Sequence, residues 1–535
     1  MVLRRLSMFL SFSVFCVILL ITTSAMNAMD LGSGSSAPSG TTQPSTAGLP
    51  QAQPDKISTV HRSITIDGKP LNYTVTTGYM PMKDSQDKLE ANVFFIAYTL
   101  DDPAQNKSER PITFVFNGGP GAASVWLHLG CAGPVCVELT PDGNVTPPPY
   151  KLVDNADTWL TATDLVFIDP VGTGYSRPAA GAPDSKFYGV QQDVESVGNF
   201  IRLYTTLYQR WGSPKFLAGE SYGTTRACAL ADYLSQQVGM NLNGIILISC
   251  ALNFQTLSPD PGNDTPYPLY LPTYTATAWY HHKLPADLEK NLSSTLSEVE
   301  NWAIQDYTPA LSMGDSLSPA QRDQIADQLV RYTGLSKQFI LLSNLRISPF
   351  AFEQELLRDQ QLVVGRMDTR ITGFNQNPTH GSAEYDPAVD NFVPVFTSAF
   401  NQYVRSELNY SNDLPYEALA PLPWDMGSSD GGYLYVTDNL QNAMVRNPYL
   451  KVMVCSGYFD LATPFFATIY TFNHLDLPDN LRKNIQEIFF DGGHMLYHPE
   501  SMRAKLAENV RAFISGAISQ SPGGETGSVP EATSP

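Results

Sequence analysis

Five residues constrain this chain more than any other feature. Gly219-Glu220-Ser221-Tyr222-Gly223 directly follows the apolar run Phe216-Leu217-Ala218 and directly precedes a helical stretch at 224–237. Strand, Gly-x-Ser-x-Gly and helix in that order form a nucleophile elbow: small residues let the backbone turn sharply, and the serine is held strained with its hydroxyl at the helix N-terminus. Ser221 is therefore read as a nucleophile rather than as a helix N-cap. The spacing alone is weak, since Gly427-Ser428-Ser429-Asp430-Gly431 also matches it. That second match follows no strand and runs into further glycine, so it is read as a loop.

The rest of the chain supplies the sheet that an elbow needs. Mostly apolar runs at 112–116, 165–168, 216–218, 245–248, 452–455 and 488–490 each lead into a Gly or Pro turn or a small-residue loop, the pattern of parallel strands covered on both faces. Amphipathic stretches at 191–209 and 224–237 fall between them. Ahead of these, 63–66, the turn Asp67-Gly68, 71–77 and 92–99 read as antiparallel edge strands. The predicted class is α/β, a mixed, mostly parallel central sheet flanked by helices. From 254 to 430 the alternation breaks into Pro- and Tyr-rich turns (259–274), helical stretches (284–305, 319–333) and a polar segment (375–390). This reads as a largely helical cap inserted over the sheet, with a separate domain as the alternative. The predicted catalytic domain is then 58–253 together with 431–516.

A serine nucleophile needs a base, an orienting acid and donors for an oxyanion, and on this kind of sheet the acid and base follow the nucleophile in the chain. Asp460 lies just past the run 452–455. His494 follows another apolar strand and Gly492-Gly493. His498 and His474 are the rival bases and Asp491 a rival acid. For the oxyanion, the N–H of Tyr222 is expected to act with one from the loop Asn117-Gly118-Gly119-Pro120-Gly121, which follows a buried strand. That loop lacks the Lys-Ser/Thr of a phosphate loop.

Four blocks in order carry a resemblance: Asn117 to Gly121, Asp169-Pro170-Val171-Gly172-Thr173-Gly174-Tyr175-Ser176, Gly219 to Gly223, and Gly493-His494-Met495. Together they resemble the serine carboxypeptidases, acid-active enzymes of α/β-hydrolase fold, over about 60–514. The resemblance implies the triad Ser221, Asp460 and His494, oxyanion donors at Gly119 and Tyr222, and recognition of the peptide's free C-terminal carboxylate by Asn117, Gly118 and Glu220. It implies that Met495 lines the leaving-residue pocket, that no cofactor is needed, and that peptide or protein C-termini are the substrates. Esterase or acyltransferase action on the same triad is the alternative. Two departures stand out: Ala122-Ala123 replaces the Cys-Ser that usually follows the glycine loop, and Cys131 falls where a second carboxylate-binding glutamate is expected.

Glu220 can donate a hydrogen bond to an anionic substrate only while protonated, so its pKa must be raised. The net charge of −19, from 33 Lys and Arg against 52 Asp and Glu, excludes nucleic acid and anionic membrane surfaces as partners. Arg4 and Arg5, an apolar run at 8–21 and small residues at Ser24, Ala25 and Ala28 read as an export signal over 1–28. The expected destination is secreted or periplasmic, or lysosomal or vacuolar in a eukaryotic cell. A retained anchor is the alternative, and membrane contact is expected only in that case. Residues 29–57 and 517–535 read as a flexible leader and tail. Outside the signal the cysteines are Cys131, Cys136, Cys228, Cys250 and Cys455, an odd number, of which Cys131 and Cys136 are close enough in sequence to pair. No CxxC pair or HExxH spacing supports a metal site.

Overall fold

The computed structural model describes residues 57–102, 106–427 and 432–519. The export segment, nearly all of the leader and the tail beyond 519 lie outside the described residues, as do 428–431 of the second Gly-x-Ser-x-Gly match. Three antiparallel strands open the chain: β1 (Ile57–Ile66), β2 (Lys69–Lys83) and β3 (Leu89–Leu100). Asp67 and Gly68 both take positive φ in the β1–β2 turn, a two-residue hairpin in which both central positions require it.

Parallel strands follow: β4 (Ile112–Phe116), β5 (Asp164–Ile168), β6 (Lys215–Ser221), β7 (Gly244–Cys250), β8 (Lys451–Gly457) and β9 (Ile485–Phe490). The order across the sheet is β1-β2-β3-β5-β4-β6-β7-β8-β9, with a short strand at Arg177–Pro178 beside β3. All contacts from β5 onward are parallel, and the join between β3 and β5 is antiparallel.

Alternation along each strand assigns side chains to one face or the other. Val115, Phe216, Ala218, Ile246 and Met453 join one buried cluster, and Phe114, Phe116, Leu217, Ile245 and Val452 join the other. The second face is covered by α1 (Val190–Leu207) and α2 (Tyr222–Tyr233). The first is covered in part by the final helix, Glu500–Ser519. That helix extends past the expected start of the tail at 517, and Ile57, placed by sequence in the leader, already pairs in β1.

The excursion between β7 and β8 divides between two cores. Residues from Leu269 to Val364 build a third apolar cluster, shared with Phe459, Leu461 and Phe465 just past β8. Phe392, Val395, Phe396, Ala399, Phe400 and Tyr403 instead lie on the first face of the sheet. They belong to the helix Pro387–Ser406, where their i, i+3, i+4 spacing makes one apolar stripe. A further correction concerns 259–274, read as turns from its prolines. Pro266–Tyr280 is a helix: Pro266 stands in its first turn, where no N–H partner is needed. Near-complete burial from Pro268 to Ala278 outweighs the missing N–H of Pro272. The helix 319–333 matches the sequence reading residue for residue, closed by a Ser318–Gln321 capping box and by Gly334 in the left-handed region. Cys131 and Cys136 are both buried free thiols, so no bridge joins them.

Candidate active site

The chemistry-bearing residues collect at the carboxyl ends of the parallel strands, where an open α/β sheet leaves its loops free to meet. Ser221 ends β6 and caps α2, with φ +61° and ψ −131°. A side chain with φ in this region is strained, and the surrounding turn must hold it there. The turn is tight enough that a Cβ on Gly219 would lie 2.2 Å from the carbonyl oxygen of Gly223.

The loop after β4 runs directly over the elbow. A Cβ on Gly118 would lie 2.4 Å from the backbone nitrogen of Tyr222 and 2.7 Å from the carbonyl oxygen of Glu220, so only glycine permits this approach. Arg226, one turn into α2, fixes the loop from behind. It donates to the Asn117 carbonyl at 2.6 Å and to Asp193 Oδ2 of α1 at 2.7 Å, and its guanidinium lies over the rings of Phe116 and Tyr222. The Asn117 side chain is held at both ends: Oδ1 accepts from the Leu127 N–H at 3.0 Å, and Nδ2 donates to Glu220 Oε1 at 2.8 Å.

Glu220 is 4% exposed, and burial pushes its carboxyl up to about 7, against the pull of the His494 charge, the Tyr497 hydroxyl and the Asn117 amide. Its second oxygen, Oε2, is buried without a hydrogen bond, and so is the Tyr497 hydroxyl; the hydroxyl is still near enough to favour the ionised carboxylate. Cys131 is fully buried in the same cluster, its Sγ donating to the Leu127 carbonyl at 3.6 Å. Burial holds this thiol well above its usual range, and the Glu220 charge adds to the effect. Where a second carboxyl was expected, the chain has a neutral thiol.

His494 and Asp460 meet from the loops after β9 and β8. Nδ1 of His494 lies 2.9 Å from Asp460 Oδ2. Asp460 is fully buried and accepts from Ala462 N at 2.8 Å, Thr463 N at 2.9 Å and Thr463 Oγ1 at 2.6 Å. Burial alone would lower the His494 pKa, but the charge and hydrogen bond of Asp460, with Glu220 adding to them, leave it raised. With Nδ1 committed to Asp460, Nε2 is left as the basic nitrogen. Residues 366 and 367 reach both of these loops: Met367 O accepts from His494 N at 2.6 Å, and Arg366 O accepts from Leu461 N at 3.0 Å.

The rivals sit elsewhere. His498 packs on the rings of Phe392 and Phe396, His474 bonds the Tyr470 carbonyl, and Asp491 engages Arg370 through its backbone oxygen. Gly119, next to Gly118 in this loop after β4, takes φ +96°. Met495 is 9% exposed and joins the apolar cluster on the first sheet face. Sequence reasoning passed over Arg226, Thr463 and Tyr497. A lone arginine in the small, apolar stretch 224–234 was a signal for the first, and a threonine three residues past Asp460 for the second. Among the described residues, no group of three His, Cys, Asp or Glu side chains could hold a metal ion, and no helix is long and apolar enough to cross a membrane.

Residues 66–489 match the family described as serine carboxypeptidase. A pheromone-processing carboxypeptidase of Saccharomyces cerevisiae is 32% identical over 159 residues, covering 27% of this chain and 20% of that protein. Serine carboxypeptidase-like 34 of Arabidopsis thaliana is 27% identical over 198 residues, covering 35% and 37%. The matched segments thus span well under half the length of either relative. The crystal structure of a prohormone-processing carboxypeptidase from Saccharomyces cerevisiae shares the fold at a TM-score of 0.50 and 16% identity, covering 83% of this chain and 91% of that one.

Proposed function

The chain belongs to the serine carboxypeptidase family and has the α/β-hydrolase fold, and on that premise we propose that it removes C-terminal residues from peptides through an acyl-enzyme. The observation that carries the reading is the buried Asn117–Glu220 pair directly before Ser221. A carboxyl held near neutral pKa beside a nucleophile is suited to donating a hydrogen bond to a carboxylate.

In this reading Ser221 Oγ attacks the last peptide carbonyl while His494 Nε2 takes its proton, then passes it to the leaving amine. Asp460 holds the imidazole and stabilises its charged form. The N–H groups of Gly119 and Tyr222 receive the oxyanion, and Asn117, Gly118 and protonated Glu220 hold the terminal carboxylate. Met495 borders the leaving residue. Water then hydrolyses the acyl-enzyme with His494 as base. We read 58–253 with 431–516 as the catalytic domain and 254–430 as the insertion. The third apolar cluster supports the insertion for 269–364, and the contacts of 366–367 with the two triad loops support a cap that stands over the site. Export through 1–28 completes the reading.

A second reading, esterase or acyltransferase action on the same triad, is favoured by the neutral thiol of Cys131 in place of a second carboxyl. Paired peptides, one with a free C-terminus and one amidated, assayed from about pH 4 to about pH 8, separate the two. The carboxypeptidase reading requires strong preference for the free peptide below neutral pH, with KM rising as Glu220 ionises, and a KM that no longer follows pH in Glu220→Gln. Cleavage of simple esters with both peptides ignored would transfer the function to the second reading.

A further inference from the structure

Tyr497 stands three residues past His494, on the loop that carries the imidazole, and its hydroxyl lies close enough to interact with the side chains of Glu220 and Asn117. It is fully buried, and its ring fills space that only a glycine leaves: a Cβ on Gly130 would lie 2.6 Å from it. Its hydroxyl and Glu220 Oε2 are two buried polar atoms of one cluster, neither with a hydrogen bond. Leaving two such atoms unpaired is costly when each can satisfy the other. We propose that Tyr497 is the positioning residue of the carboxylate site, its O–H donating to Glu220 Oε2 so that the proton Glu220 gains on neutralisation resides on Oε1, beside Asn117.

The arrangement settles which oxygen faces the substrate. Oε1 already accepts from Asn117 Nδ2 at 2.8 Å, and a protonated Oε1 keeps that bond while donating its hydrogen towards the Asn117–Gly118 loop. Ionised Glu220 accepts from both Asn117 and Tyr497, so the phenol favours the charged form and sets the pH at which carboxylate recognition is lost. The other groups facing Glu220 are His494, whose charge acts in the same sense, Asp460, which opposes it, and the neutral thiol of Cys131. The phenol thus provides, beside the lone carboxyl, a tuning group in a cluster where the thiol contributes none.

The substrate consequence rests on the carboxypeptidase reading, but the hydrogen bond does not, and the test separates them. The full chain is titrated from about pH 5 to about pH 9 by difference infrared spectroscopy, following the carbonyl stretch of protonated Glu220, assigned by its loss in Glu220→Gln. KM for a free-carboxylate peptide is measured in parallel. Tyr497→Phe removes a donor to the charged form and is expected to raise both midpoints by about one pH unit. Difluorotyrosine at Tyr497, a stronger donor, is expected to lower them, and it carries the test if the phenylalanine variant does not fold. Midpoints unmoved by either change, or a KM shift that persists in a Glu220→Gln background, overturn the proposal. If the wild-type enzyme shows no preference for free over amidated peptides, the carboxypeptidase reading fails, and the infrared midpoint alone decides the role of Tyr497.

Discussion

Glu220 and His494 face each other across the elbow, and each changes the other's proton affinity: the imidazolium lowers the carboxyl's pKa, and the carboxylate raises the imidazole's. One proton shared by the pair can sit on either partner, and only the arrangement with neutral His494 and protonated Glu220 offers both a base and a carboxylate donor. On the proposed carboxypeptidase reading, a bound C-terminal carboxylate repels ionised Glu220, so binding pushes the proton from His494 to Glu220 and frees Nε2 at the same time. The coupling gives a signed prediction. Glu220→Gln removes the negative neighbour that raises the His494 pKa, so more acid is needed to protonate the imidazole, and the acid limb of kcat moves to lower pH. The check is a kcat–pH profile on an ester lacking a free carboxylate, where Glu220 has no binding role. An unmoved acid limb would mean that the two groups do not interact.

Among the elements, α1 and α2 are tied by one buried ion pair, Asp193–Arg226, each partner at most 3% exposed, and the same guanidinium holds the Asn117 carbonyl. Arg226→Met strands a buried carboxylate and frees the loop, with an expected cost of about 3–5 kcal/mol and a loss of activity exceeding the loss of folded protein. Adding Asp193→Leu removes the stranded charge and is expected to recover much of the stability, measured by urea unfolding, without the activity. Recovery of both would show that Arg226 does not position the loop. This tie marks the limit of what was legible in the sequence. The elbow, the glycine loop, the Asp-then-His order and the parallel strands were readable because each is a local pattern of apolar run, turn and small residue. The Asp193–Arg226 pair joins residues 33 apart, and Tyr497 meets Glu220 across 277 positions, so neither leaves a local trace. The helices at 266–280 and 387–406 were obscured for another reason: Pro272 and Pro394 lie inside them, and burial in the tertiary structure outweighs the local penalty that sequence reading weighs first.

For the whole molecule, burial of both kinds of titrating group sets the stability profile. Asp169 and Glu220 are pushed up to about 7 by burial, so the fold holds protons that the unfolded chain releases; their contribution is full below the ordinary carboxylate range and is lost as pH rises through about 7. His128 and His498 act in the opposite sense. Burial lowers both to about 3, so their contribution is full above the ordinary histidine range and is lost as pH falls towards 3. The two effects place maximal stability in weakly acidic solution, with a decline on each side. His498 isolates the acid side. Its Nε2 is buried without a partner, its ring lies against Phe392, 4.1 Å between centroids, and Arg370 and Arg503 add to the cost of charging it. His498→Leu keeps an apolar group in that space and removes the proton that only the unfolded chain accepts. The stability that wild type loses between about pH 7 and about pH 4 is expected to shrink in the variant by on the order of 2–3 kcal/mol, read from urea unfolding at the two pH values. If the variant loses as much as wild type, acid sensitivity originates outside this buried imidazole, and His128, hydrogen-bonded to the Tyr98 hydroxyl at 2.7 Å, becomes the group to replace.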